Sequence, residues 1–302
     1  MAGKGIYYES QFEEATIELL REAHWQYTFG DDIHRKYTDP LIEEDLRNFL
    51  AAQYKDRDLT TSEIDGIVAN LRNTGGQNDY YALRNAFLLY RDGYDFAYSD
   101  GRDNPFRLEY IDFEHPDHNI FRCVNQFVME QGRENRRPDI LLFVNGIPVC
   151  IIELKNPTKQ NATIRDAHTQ ICTRYMRDIP ALLKYCALAV ISDGAKNALG
   201  TIYTPFEFFY EWKKIENEDK AGKGLDTLRT LIRGALSPER ILEILRDYVY
   251  FPDPTKEDDT TEIVCRYPQF FATRKLRDHI LNHLRSVGGD GKGGTYFGAT
   301  GC

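Results

Sequence analysis

Two carboxylates and one lysine stand at the end of a predicted β-hairpin in the middle of this chain. Asp139 precedes the apolar run 140–144, and Glu153 and Lys155 follow the apolar run 147–152. Carboxylates suit Mg²⁺, and a neighbouring lysine can orient a metal-bound water and offset charge on a phosphate under attack. These residues predict phosphodiester hydrolysis. The alternative is a salt bridge at a solvated hairpin end, which the neighbouring buried-type residues disfavour.

The Asn145-Gly146 pair between the two runs predicts the hairpin turn. Because side chains alternate along a strand, Glu153 and Lys155 share one face. A strict two-residue loop on regular strands would pair Asp139 with Ile152 and put its carboxylate on the wrong face. A three-residue loop closed by Gly146 at positive φ would gather all three charges, as would a bulge or bend near Asp139. The site hypothesis therefore requires one of these irregularities.

The motif extends beyond these three residues. Pro138-Asp139 followed by Glu153-Leu154-Lys155 resembles the PD-(D/E)xK nuclease motif. The wider phrase, from Arg137-Pro-Asp through Asn145-Gly-Ile-Pro to Ile152-Glu-Leu-Lys-Asn-Pro157, resembles the amino-terminal nuclease domain of the R (restriction and translocation) subunit of type I restriction enzymes. The resemblance implies an α/β core with a mixed central sheet flanked by helices. It also implies that Asp139 and Glu153 hold Mg²⁺ while Lys155 positions the attacking water.

The resemblance implies supporting residues as well. Gln170 and Tyr175 resemble the Q-x-x-x-Y motif of the R subunits, but here the tyrosine comes five residues after the glutamine. In a regular α-helix this spacing turns the two side chains apart, so Tyr175 fits only if the helix is locally overwound. In similar nucleases an acid on the first helix can reach the metal, and Glu13 or Glu14 would be that acid. A glutamate that merely complements the helix dipole is the competing interpretation.

Composition sets the class of protein. With 42% apolar and 28% charged residues the chain resembles an ordinary soluble protein, without a membrane span or secretory leader. Its six scattered cysteines lack the C-x-x-C spacing of zinc sites, which favours reduced thiols in a cytosolic protein. The resemblance implies the cytoplasm of a bacterium or archaeon. The net charge of −9 argues against a protein that coats DNA on its own.

Local contact with double-stranded DNA remains open, because basic residues crowd the motif. A solvated face and a phosphate-binding groove are equally compatible with this cluster of Arg133, Arg136, Arg137, Lys155, Lys159, Arg165, Arg174 and Arg177. His115 and His118 flank Pro116-Asp117, where a polar turn is favoured over a pair of metal ligands.

The pattern along the chain predicts three regions. Residues 1–215 form the nuclease domain, with a helix over 11–23, a strand over 25–29 and a helical insertion over about 39–90 that begins with Pro40 at N1. Strands are expected at 108–113, within 119–131, at 187–192 and at 201–211, and a helix at 164–176. Residues 216–262 form a linker and helical connector, helical over 225–249.

Residues 263–302 resemble the start of a superfamily 2 motor domain. Gln269 lies in a phrase similar to the adenine-reading glutamine motif, and 293–302 reads as a strand entering a glycine-rich turn. Gly298 to Cys302, with Gly301 among them, match the first positions of a phosphate-binding loop, G-x-x-x-x-G-K-[ST], but the lysine is absent. The expectation is a piece of a longer protein that neither binds nor hydrolyses ATP by itself. His279 and His283 are predicted to be polar-face residues.

The resemblance as a whole implies a Mg²⁺-dependent endonuclease that works with ATP-driven translocation and with modification and specificity subunits. A rival hypothesis is a non-catalytic docking module, in which a nuclease-like fold holds the motor on its partner subunits and the three charged residues form a salt bridge.

Overall fold

A computed structural model of the chain describes residues 3–98, 100–101, 104–155, 163–216, 222–252 and 260–298, with side chains described from Ser10 onward. The strands are β1 (Gln26–Phe29), β2 (Tyr94–Phe96), β3 (Phe106–Leu108), β4 (Phe121–Asn125), β5 (Met129–Gln131), β6 (Glu134–Arg136), β7 (Ile140–Val144), β8 (Ile147–Leu154), β9 (Leu188–Ser192), β10 (Asn197–Gly200), β11 (Val249–Tyr250) and β12 (Ile263–Val264).

The helices are α1 (Gly3–Glu22), α2 (Glu43–Gln53), α3 (Thr61–Asn73), α4 (Asp79–Asp92), α5 (Ile164–Thr169), α6 (Met176–Asp178), α7 (Pro180–Leu183), α8 (Leu225–Leu231), α9 (Pro238–Asp247) and α10 (Tyr267–Asn282). A π-helical segment, Gln170–Tyr175, joins α5 to α6, and a second one, Ile232–Leu236, follows α8. Short 3₁₀ turns occupy Gly30–Asp32, Lys55–Arg57, Pro116–His118, Phe206–Phe208 and Arg285–Val287.

A six-stranded mixed sheet in the order β1-β4-β7-β8-β9-β10 carries the hairpin at its centre. The pairs β1–β4 and β8–β9 are parallel, and the other neighbours are antiparallel. Every residue of β7 and β8 is buried, which explains their continuous apolar runs. Helix α1 packs against β1 and β8, and α5 packs against β8 and β9. The expected α/β class with a mixed sheet flanked by helices is confirmed.

The helical insertion consists of α2, α3 and α4, and it covers the turn of the hairpin. The amide of Ile42 donates to the carbonyl of Gly146 at 2.9 Å, so the turn packs directly against the segment that leads into α2. Thr60 and Glu63 form a capping box that starts α3. The three helices agree with the sequence expectation, but α2 begins at Glu43 rather than at Pro40.

Three predicted strands are wrong. Residues 201–211 form an irregular loop with a 3₁₀ turn, because Thr204 Oγ1 caps the amide of Thr201 at 3.0 Å and Pro205 interrupts the run. The preceding segment, Asn197–Gly200, supplies the edge strand β10 instead. Residues 109–113 leave the sheet after β3, and 293–298 are irregular.

The connector begins with α8 and α9, as the helical pattern over 225–249 indicates, and β11 pairs with β12 just before α10. None of the described helices combines the length and apolar character needed to cross a membrane. The five cysteines within the described ranges are free thiols. Several residues of the predicted motifs lie outside the described part of the chain: Asn156, Pro157, Lys159, Gly301 and Cys302.

Candidate active site

The register of the hairpin decides where Asp139 points. Val144 pairs directly with Ile147, so the loop has two residues, and Asn145 (φ 50°) and Gly146 (φ 77°) both lie in the left-handed region. The three-residue loop is therefore wrong. A register shift occurs instead where Leu142 pairs with Cys150 and Phe143 pairs with Pro148. One residue of β8, Val149, is thus left unpaired as a β-bulge.

The bulge brings the two acids together. Beyond it Ile140 pairs with Ile152, so the next position in register sets Asp139 opposite Glu153. Directly opposed residues project from the same face of a sheet. The expected irregularity is present, but it lies in the middle of β8 rather than near Asp139. Asp139 Oδ2 also accepts a hydrogen bond of 2.7 Å from the amide of Leu154, which fixes one of its carboxylate oxygens.

Glu153 is the most constrained acid of the site. Its side chain is 1% exposed, and Oε2 is buried without a hydrogen-bond partner among the described residues. Burial raises the pKa of Glu153 to about 8, with a further increase from the charge of Asp139, while Lys155 acts in the opposite direction. A buried carboxylate oxygen with no partner is costly in a folded protein. This atom is therefore open to a cation or a proton.

A chain of side-chain hydrogen bonds links the acid to the helix that follows. Lys155 Nζ donates to Glu153 Oε1 and to Gln170 Oε1, each at 2.7 Å. Gln170 Nε2 in turn donates to the hydroxyl oxygen of Tyr175 at 2.7 Å. The lysine side chain is only 14% exposed. Its ammonium group is consequently held in one place rather than free to move with solvent.

The π-helical segment explains the spacing of Gln170 and Tyr175. A π-helix closes i→i+5 hydrogen bonds, so a residue five positions on lies close to where an α-helix would place one four positions on. The extra residue relative to Q-x-x-x-Y is absorbed there, and both side chains reach the same site. The helix is widened, with more residues per turn, which is the opposite of the predicted overwinding.

Deletion of Thr173, an exposed residue of this segment, tests that explanation. We expect the shortened segment to become α-helical with the spacing Q-x-x-x-Y, and the chain to keep its fold and melting temperature. Circular dichroism and thermal melting measure these properties. The matched control is Thr173→Ala, which keeps the residue count. Loss of folding in the deletion variant alone would show that the π-helical segment is not a tolerated insertion.

Glu13, on the first helix, is linked to the hairpin through Asn125 and Gln126. Glu13 Oε1 accepts hydrogen bonds from Asn125 Nδ2 at 2.6 Å and Gln126 Nε2 at 3.0 Å. The amide of Gln126 donates to the backbone oxygen of Asp139 at 3.2 Å, so this cluster borders the site. Gln126 has φ 54°, a strained value for this residue type. Glu14 is exposed, and nothing in the sequence pattern singled out Asn125 or Gln126.

The basic cluster divides into paired and unpaired arginines. Arg136 and Arg177 both form ion pairs with Asp178, and the guanidinium of Arg165 lies 4.2 Å from the ring centre of Phe206. Three exposed arginines make no hydrogen bond or ion pair with any described residue: Arg133, Arg137 and Arg174. Arg137 lies two residues before Asp139 and Arg174 immediately before Tyr175. These two cations therefore lie close in sequence to residues of the site and are open to an anionic partner.

The predicted nucleotide-binding residues are not gathered into a site by the described part of the chain. Gln269 Oε1 accepts a hydrogen bond from the amide of Arg266 at 2.9 Å and so caps the start of α10 in this structure. Gly298 lies in an exposed irregular segment. His279 near the end of α10 and His283 just after it have ring centres 4.0 Å apart.

Comparison with known proteins shows which proteins this chain is similar to. Residues 6–208 match the family described as type I restriction enzyme R protein N terminus. The chain is 27% identical, over 90% of its length, to the type I restriction enzyme HindI endonuclease subunit of Haemophilus influenzae. It is 28% identical, over 64% of its length, to the EcoprrI endonuclease subunit of Escherichia coli. The matched region spans 27% of the Haemophilus subunit and 59% of the Escherichia coli subunit.

Proposed function

Because the chain belongs to the type I restriction enzyme R protein family, we propose that its central hairpin is the active centre of a Mg²⁺-dependent DNA endonuclease. The observation that carries the proposal is the opposition of Asp139 and Glu153 across the bulged hairpin, with Lys155 held beside them. The names of the relatives, endonuclease subunits, support the same activity.

The residues fit a magnesium ion. Mg²⁺ prefers a few carboxylate oxygens and keeps several waters. Glu153 Oε2 has no partner among the described residues, and the opposed carboxylate of Asp139 supplies the second negative charge. Bound Mg²⁺ would offset charge on the phosphate and lower the pKa of a coordinated water. The imidazole and thiolate ligands that softer metals prefer are not among these residues.

The side chains of the site then have separate roles. Asp139 and Glu153 hold the cation, and Lys155 Nζ orients the attacking water and stabilises the phosphate oxygens as charge develops. Gln170 is a positioning residue because it accepts a hydrogen bond from Lys155, and Tyr175 holds Gln170 in turn. Glu13 supports the start of β7 through Gln126 and the backbone of Asp139.

Metal binding is the direct test. We expect calorimetry to show one Mg²⁺ site in the wild-type chain, with affinity that increases about tenfold for each pH unit between roughly 6 and 8. The reason is that Glu153, whose pKa is about 8 without metal, must lose its proton when the cation binds. Asp139→Ala and Glu153→Gln should remove the site. Equal Mg²⁺ affinity in wild type and both variants would contradict the assignment.

The same pKa has a consequence for the metal-free chain. Glu153 stays protonated in the fold up to about pH 8 but ionises near its ordinary value when unfolded, so stability should fall as the pH rises between these limits. Urea unfolding in the presence of a chelator measures this slope. Glu153→Gln is the matched control, and its unfolding should depend less on pH over this range.

The unpaired arginines provide a test of DNA contact. We expect Arg137→Glu and Arg174→Glu each to weaken binding of a short DNA duplex and to reduce the salt dependence of log Kd by about one unit. Arg233→Glu, which reverses an exposed arginine on the connector, is the charge-matched control. Fluorescence anisotropy at several salt concentrations gives both quantities. Equal losses in all three variants would indicate a general charge effect and not a phosphate-binding face.

For the complete subunit we propose that residues 1–215 form the nuclease domain, 216–262 the linker and connector, and 263–302 the start of an ATP-driven motor. Double-stranded DNA and the modification and specificity subunits are the proposed partners, in the cytoplasm of a bacterium or archaeon. Cleavage of unmodified foreign DNA would then follow translocation. Gln269, Gly298 and Gly301 would contact nucleotide only in that complete protein.

A further inference from the structure

A second cluster of ligand-type side chains lies in the connection between β3 and β4, away from the hairpin acids. Asp112, His115 and His118 each offer one ligand atom, and these atoms lie within 4.8 Å of one another. His118 Nδ1 is 2.9 Å and His115 Nδ1 is 3.3 Å from the same atom, Asp112 Oδ2. The two imidazole rings are stacked with centres 4.8 Å apart, so both present Nδ1 to one point.

Three side-chain nitrogens crowd this oxygen. Gln53 Nε2 also approaches Asp112 Oδ2, at 3.0 Å, so this amide and both imidazoles converge on one carboxylate oxygen. Convergence of this kind is typical of a point that a cation can occupy, once both imidazoles are neutral and turn their lone pairs toward it. The two separations between histidine Nδ1 and Asp112 Oδ2 are also close to the spacing of about 3.3 Å that bonds of roughly 2.0–2.1 Å impose in a tetrahedral zinc site. The two histidine ligand atoms lie within 4.8 Å of each other, and the half-exposed imidazoles have room to turn inward and close this distance.

The side chain of Asp112 is held in one orientation before any metal binds. Its side chain is 6% exposed, and Oδ1 accepts the amides of Glu114 and His115 at 3.0 and 2.9 Å. These two hydrogen bonds hold Oδ1 in place and leave Oδ2 aimed at the histidines. Such fixed ligand orientation favours metal binding.

We propose that Asp112, His115 and His118 form a structural binding site for Zn²⁺ or a similar transition-metal ion. Two imidazoles and one carboxylate are borderline ligands that suit zinc, whereas Mg²⁺ prefers oxygen alone. Water completes the site, or Gln53 does so after its amide turns to present Oε1. The proposal is independent of the nuclease assignment, because no residue is shared with the hairpin acids.

The site would stiffen the far end of the catalytic hairpin. The amide of Asp112 donates to Asn119 Oδ1 at 2.9 Å, and Asn145 Nδ2 donates to the same oxygen at 2.8 Å. Asn145 belongs to the hairpin turn and is fully buried. Metal binding in the β3–β4 connection would thus hold the turn through Asn119, and Gln53 would attach the end of α2 to the same point.

The test uses the chain with His279→Ala and His283→Ala, so that this histidine pair at the end of α10 cannot bind the probe. After removal of metal with a chelator, calorimetry with ZnCl₂ should show one site in this background. We expect His115→Ala or His118→Ala to weaken the affinity by more than about tenfold, and both together to abolish the site. Asp112 is not substituted, because it also caps its own turn.

Two further measurements keep the outcome decisive. Zn²⁺ should raise the melting temperature of the background chain but not of the His115→Ala/His118→Ala variant, whose melting without metal should be unchanged because both imidazoles are about half exposed. Co²⁺ should give a tetrahedral spectrum without a thiolate band, and Asp139→Ala should retain the site. Equal Zn²⁺ affinity with and without the histidines, or a cobalt–thiolate band, would show adventitious binding only and overturn the proposal.

Discussion

Replacement of Lys155 by alanine is expected to abolish DNA cleavage by the complete enzyme, with a loss of at least about 10³-fold in rate. The ammonium group is held by Glu153 and Gln170, so its removal takes away the charge that we propose acts on the scissile phosphate and also leaves Glu153 without its cation. Asp139→Ala and Glu153→Gln should have effects of similar size, because each removes a proposed metal ligand. Linearisation of plasmid by the complete subunit reconstituted with its proposed modification and specificity partners measures the rate.

The controls separate catalysis from assembly. Glu14→Ala, an exposed neighbour of Glu13 on α1, should cleave at the wild-type rate. The three site variants should still assemble and hydrolyse ATP on DNA, because none of them lies in the proposed motor. If the variants instead lost assembly and ATP hydrolysis together with cleavage, the docking module would be the better description. Wild-type cleavage by Lys155→Ala would exclude its catalytic role outright.

Substitution of Gly146 by alanine is expected to destabilise the chain by about 3 kcal/mol or more, through combined backbone strain and overlap. Gly146 has φ 77°, and an added Cβ atom would overlap the backbone oxygen of Ile42. Because the backbone of Ile42 lies so close to Gly146, there is no space for a methyl group. The free energy of unfolding in urea measures the effect, and affinity for the proposed Mg²⁺ should fall with it because the turn and the bulge together set the register of the acids.

Gly132 offers a matched control for the strain alone. It also has positive φ, 63°, in the turn between β5 and β6, but no atom lies within 4 Å of an added Cβ. Gly132→Ala should therefore cost only about 1–2 kcal/mol. If both substitutions had the same effect, the close approach of Ile42 would contribute nothing, and the insertion would not hold the turn in the way its contacts indicate.

The family and the fold class followed from the sequence because the motif lies in strands that are apolar throughout. Such runs identify the centre of a sheet covered on both sides, and the acids at their ends are conspicuous against them. The hairpin turn was visible for the same reason, since Asn145-Gly146 separates two apolar runs. The structure brings Asp139, Glu153, Lys155, Gln170 and Tyr175 together, and their chemical roles stay predictions.

The β-bulge and the π-helical segment could not be predicted from the sequence in the same way. A bulge at Val149 leaves no mark in a run where every side chain is apolar, because shifting the alternation by one residue changes nothing visible. The π-helical segment was signalled only as a mismatch in spacing. Asn125 and Gln126 are ordinary polar residues in the sequence, and only the packing of α1 beside β4 gives Glu13 its two amide partners.

The complete burial of β7 and β8 makes their pairing ambiguous during folding. In a sheet with one solvent-exposed face, a slip of the strand pairing by one residue exposes the apolar side chains and is unfavourable for that reason. Here both faces are covered, so the slipped and native pairings would bury nearly the same apolar surface. The native pairing is therefore distinguished from the slipped one by polar contacts at the two ends of the hairpin. At one end these are the hydrogen bonds of the Asn145 side-chain amide, and at the other the Asp139 carboxylate accepts the Leu154 amide. Asp139, a proposed metal ligand for cleavage, would therefore also help to select the correctly aligned hairpin during folding.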